Sequence, residues 1–120
     1  MHIDSLRTLV VDALEQLKAK DVAMLDVSRL TSVTDLMVVA SGTSTRHVAA
    51  LANNVVEVAK AEGLQPLGVE GEAGADWVLV DLGDLVVHIM LPETRQLYDL
   101  ERLWADLPSD GEMGQERGGA

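Results

Sequence analysis

The chain has no cysteine and no phenylalanine among its 120 residues. Without thiols there is no disulfide, no thiolate nucleophile and no thiolate metal site. Two Trp and one Tyr are the only aromatics, so a core must be built from Val, Leu, Ala and Met. Basic residues are also scarce. Nine Lys plus Arg stand against twenty Asp plus Glu, for a net charge of -11. Phosphate backbones are bound chiefly by Lys and Arg releasing counterions, so direct nucleic-acid binding is not expected. The apolar runs are short and one contains His88, so no membrane span is expected. The start "MHIDSLRTLV" lacks the basic stretch and apolar core of a secretion signal. The expectation is a soluble cytoplasmic protein.

What is present is a 48% hydrophobic chain of single-domain length, enough for one real core. Its negative field favours encounter with a basic partner. Leu6, Leu9, Val10, Ala13, Leu14 and Leu17 recur at helical spacing and predict a helix over 5–20, capped by Asp4 or Ser5. Residues 22–27 read as a strand and 28–34 as a polar connection. Residues 36–41, "LMVVAS", read as a second strand, apolar on both faces and therefore interior. A second helical stripe follows Ser44: Val48, Leu51, Ala52, Val55, Val56 and Ala59, with Gly63 as its C-terminal cap. Residues 66–71 are a short strand, and 71–75 a loop. Residues 76–91 form a β-hairpin turning at Leu82-Gly83. Pro92 suits the first turn of a last helix in which Leu97, Leu100, Trp104 and Leu107 share a face. The fold class is thus α/β, a mixed sheet of about five strands flanked by helices. One domain covers 1–107. An acidic tail, 108–120, has little to bury and is expected to be disordered.

Four places invite chemistry. "SGTSTRH" (41–47) joins a strand to a helix, as phosphate loops do. It has one glycine and no lysine, so it matches neither the Walker pattern nor the dinucleotide fingerprint, and Thr43 or Ser44 serves as a helix cap. Nucleotidyl transfer needs carboxylates converging on Mg²⁺. No Asp-x-Asp strand pair occurs. Glu70 and Glu72 straddle a glycine in a loop, and Asp81 and Asp84 flank a turn. His88 shares a strand face with Val86 and Met90 and has no nearby Ser or Cys, which favours a core or interface role over a general base. His2, His47 and His88 lack metal-ligand spacing. No catalytic residue, metal or cofactor is expected. Trp77 opens a strand beside a Gly-rich loop and suits an interface anchor. Trp104 suits the core. Tyr98 lies off the helical stripe, toward the surface. Lys18, Lys20 and Lys60 lie near predicted helix C-termini, complementing the dipole. A binding module is favoured over an enzyme.

Four stretches carry a family resemblance: "KDVAMLDVS" from Lys20, "TDLMVVASGTSTRHVAALANNV" from Thr34, "PLGVEGEAGADWVLVDLGDLVVHIM" from Pro66 and "PETRQLYDLERLW" from Pro92. The chain resembles the ribosomal silencing factor family, RsfS or Iojap-related, from about residue 6 to 104. The resemblance implies a nucleotidyltransferase-like fold without the catalytic carboxylates. It also implies a factor that binds the large ribosomal subunit through its protein numbered fourteen. Such a factor blocks joining of the small subunit and represses translation when nutrients are short, with no catalytic step and commonly as a homodimer. On the matching positions, Glu70, Trp77, His88, Met90, Arg95 and Tyr98 are expected at the partner surface. Asp35, Thr43, Ser44, Arg46 and His47 are expected mainly to hold the loop and the helix start. Leu36, Met37, Leu82, Met90 and Leu97 stand where the family frequently has aromatics. Apolar replacement preserves a core if volume is recovered elsewhere, but weakens any contact on the partner surface.

Overall fold

The structure, a computed structural model, describes residues 2–32 and 34–99. Helix α1 (Ile3–Gln16) leads into strands β1 (Lys20–Asp26) and β2 (Leu36–Ser41). Helix α2 (Thr45–Ala61) then leads to β3 (Gly68–Glu70), β4 (Trp77–Asp81) and β5 (Leu85–Met90), and α3 (Pro92–Tyr98) follows. This is the expected order of elements. The expected face of Leu100, Trp104 and Leu107, and the tail 108–120, lie outside the described residues. No described helix is long and apolar enough to cross a membrane.

Helix α1 starts and stops earlier than its apolar stripe suggests. His2, rather than Asp4 or Ser5, is the cap: its Nδ1 accepts the Asp4 N–H at 3.1 Å. Asp4 lies in the first turn instead, where its charge complements the helix dipole. At the other end Lys18 adopts a left-handed conformation with φ 62. The N–H groups of Lys18 and Ala19 return to the carbonyls of Glu15 and Leu14, a Schellman closure made without glycine. Lys20 therefore falls in β1, not near a helix end. Helix α2 closes the same way with Gly63, φ 83, at the predicted position.

The five strands form one mixed sheet in the order β1-β2-β5-β4-β3. Strands β2 and β5 pair in parallel, and every other pairing is antiparallel. Strand β2 is buried along its whole length, as its unbroken apolar run predicts, although β5 holds the middle place. Alternation splits the sheet into two unlike faces. Leu36, Val38, Ala40, Val78, Val80, Leu85, Val87 and Ile89 face α1 and α2, where they meet Leu6, Val10, Leu14, Val48, Leu51 and Val55 in one aliphatic core. The other face carries a smaller cluster of Val27, Met37, Val39 and Met90, against which Trp77 and Leu25 pack.

Candidate functional site

The loop over 41–47 is a structural joint. Ser44 caps α2, its Oγ accepting the His47 N–H at 3.1 Å. His47 is bonded at both ring nitrogens. Nε2 lies 2.7 Å from the Leu17 carbonyl oxygen, which can only accept, so Nε2 carries the proton. Nδ1 is then free to accept the Thr43 N–H at 2.9 Å. The imidazole thus fastens the end of α1 to the start of α2. The glycine is also used within the chain. A Cβ on Gly42 would stand 2.8 Å from Val48 Cγ2 and 2.9 Å from Val48 N. The close approach that Gly42 permits is therefore that of α2 itself. Of the other signature residues, Asp35 lies at the far end of β2. Its backbone bonds Val27 and Asp84, joining β2 to the β4–β5 turn rather than holding the loop. Arg46 is exposed.

The second constellation lies on the sheet face that α1 and α2 leave alone. Trp77 and Met90 are register partners, as are Leu79 and His88. The Trp77 indole N–H donates to His88 Nδ1 at 3.0 Å. This bond suits a neutral imidazole, and burial pushes the His88 pKa down to about 4. Tyr98, from α3, packs on the indole with ring centroids 4.8 Å apart and planes tilted by 47°. Arg95 sits one turn earlier and donates from Nη1 to Ser41 Oγ at 2.9 Å, which fixes α3 against the end of β2. Pro92 occupies the first helical turn of α3, as expected. Glu70 ends β3, opposite Leu79.

The six expected partner residues therefore converge on one face, but they are not equally accessible. Tyr98 is 53% exposed, while His88 is 7% and Met90 0% exposed. His88 and Met90 support the patch from beneath, while Trp77 and Tyr98 lie above them. Leu79, Gly71 and Ser41 also build the patch, and the motif reading missed them. Leu79 could have been found from strand alternation, which puts it on the face of Trp77.

Residues 1–118 match the family described as "Ribosomal silencing factor during starvation", RsfS. The chain belongs to the RsfS family. It is 49% identical over 104 residues to the ribosomal silencing factor RsfS of Chromobacterium violaceum, covering 87% of this chain and 85% of that one. A crystal structure of a Chromobacterium violaceum protein, 48% identical, matches with a TM-score of 0.86 over 91% of this chain and 92% of its own. A mouse protein named for mitochondrial assembly of the ribosomal large subunit is 37% identical over 110 residues, 89% of this chain and 48% of its own length. Against the aromatics expected of RsfS, this chain has Leu36, Met37, Leu82 and Met90 in its core, each no more than 5% exposed, whereas Leu97 is 76% exposed. Four of the five replacements are thus questions of packing volume, and one is a question of surface.

The two acidic pairs considered for metal chemistry serve local structure or stand apart. Asp81 Oδ1 accepts the Gly83 N–H at 2.9 Å, closing the turn before β5. Glu70 belongs to β3, while Glu72 lies in the following turn.

Proposed function

We propose that this chain represses translation by occupying the large ribosomal subunit. It docks on the ribosomal protein numbered fourteen, and its bulk excludes the small subunit when nutrients are short. The observation that carries this reading is the RsfS match over 1–118. The Trp77 and Tyr98 patch supports it, because rigid aromatic side chains with one wet edge are the usual anchors of protein interfaces. The net charge of -11 suits a basic protein surface and disfavours rRNA. The reading needs no catalytic step. Inhibition follows occupancy, hence concentration over Kd. The chain acts in the cytoplasm. Exposed Leu97 on α3 offers an apolar contact for a second copy, giving a homodimer.

The test is sedimentation with separated ribosomal subunits, varying the order of addition. Co-sedimentation with the large subunit alone, with fewer joined particles when the chain is added first, is the expected result. Absence of large-subunit association would sink the reading. Trp77→Ala and Tyr98→Ala are expected to weaken binding by about tenfold or more each.

A further inference from the structure

Beside Trp77 the sheet carries a cleft of about 250 Å³ lined by Glu70, Gly71, Trp77 and Leu79. Antiparallel pairing sets Glu70 opposite Leu79, and Trp77 stands two residues along on the same face. Such diagonal neighbours are within reach of aromatic and long side chains. Glu70 is exposed and has no cationic partner among the described residues. The indole is held in place by its bond to His88 and its contact with Tyr98. Gly71 completes the cleft at φ 89, where a Cβ would collide with the Trp77 carbonyl oxygen. The cleft thus combines an exposed carboxylate, an immobilised aromatic ring and an aliphatic wall. These are complementary to a cation carried on an apolar stem. Arginine suits them better than lysine, since its planar guanidinium both stacks on a ring and meets a carboxylate with two N–H groups.

We propose that this cleft receives one arginine side chain of the protein partner. The proposal deepens the ribosome-binding reading and rests on it for the identity of that partner. The direct test uses N-acetyl-arginine N-methylamide as the probe, with the citrulline amide as its uncharged counterpart. Each is titrated into the isotope-labelled full chain while the Trp77 indole N–H, assigned with Trp77→Phe, is followed by NMR. The arginine amide moves this signal and the citrulline amide does not, and Glu70→Gln abolishes the difference. Equal shifts from both amides, or none from either, overturn the proposal. On large ribosomal subunits Glu70→Gln weakens binding about fivefold, the upper end for an exposed ion pair. Glu57→Gln, on α2 behind the sheet, leaves it unchanged. Wild-type binding matched by Glu70→Gln removes the arginine and keeps the ribosome reading. Failure of the wild type to bind subunits removes that reading, and the amide titration then decides the cleft alone.

Discussion

Mild acid is expected to destabilise this protein through His88. The imidazole sits on β5 between Val39 of β2 and Leu79 of β4, and burial holds its pKa at about 4 instead of 6.5. Above about pH 6.5 neither the folded nor the unfolded chain binds this proton, so the group carries no penalty. As pH falls toward 4, the unfolded chain takes up the proton while the folded chain does not. Stability therefore drops by about 1.4 kcal/mol per pH unit, reaching about 3 kcal/mol at the bottom of the window. That is a large share of the roughly 5–15 kcal/mol that holds a domain folded. The assay is urea unfolding from about pH 7 down to about pH 4.5, wild type beside His88→Gln. Glutamine keeps a side-chain acceptor for the Trp77 indole N–H but cannot titrate. The exposed carboxylates are common to both proteins, so the difference between the two curves isolates His88. The wild type is expected to lose about 2 kcal/mol more than the variant over this range. Parallel curves, or an imidazole NMR titration with its midpoint near 6.5, would refute the reasoning.

Three further outcomes follow from the joints of the fold. His47→Ala removes both the Leu17 and the Thr43 bonds and should cost about 1–2 kcal/mol in chemical denaturation, with added hydrogen exchange confined first to the α1–α2 ends. Lys18→Gly should raise stability by roughly 0.5–1 kcal/mol, because the left-handed backbone there costs a side-chain-bearing residue more than glycine; a lower melting temperature would contradict the φ of 62. The Asp26 carboxyl is held below its ordinary range by the Ser28 hydroxyl at 2.6 Å and the Ser28 N–H at 3.0 Å. Ser28→Ala should therefore raise its NMR midpoint, while stability changes little at this exposed corner.

Much of this fold was legible because apolar periodicity and cap residues agree. The short apolar run 36–41, β-branched at Val38 and Val39, suits a strand buried on both faces, and Ser44 and Gly63 bracket α2 as their chemistry requires. What failed were ends decided by tertiary contact. Leu17 continues the stripe of α1, yet its carbonyl is claimed by His47, thirty residues away, and the chain turns at Lys18. The candidate residues could be named from the sequence, but not the layers they form. Alternation puts His88 and Met90 on the face of Trp77, but burial depends on what packs above them, and no spacing rule reports that Arg95 reaches Ser41. A glycine before a helix signals a close approach, and only the structure shows that the approaching group is Val48 rather than a ligand.

The strand order also fixes how the molecule is assembled. Strands β1 and β2 are sequence neighbours and pair together, and so do β3, β4 and β5. Each group can close with short loops. The single parallel contact between β2 and β5, with Leu36 opposite Leu85 and Ser41 opposite Met90, is the seam where the two groups are joined. Closing it spans about fifty residues, and such distant pairings are slow because chain entropy is lost before contacts are gained. Refolding should therefore protect the amides of the meander and of the first hairpin before those of the seam. Two separately produced halves, divided in the exposed stretch after Gly63, should recover native structure when mixed.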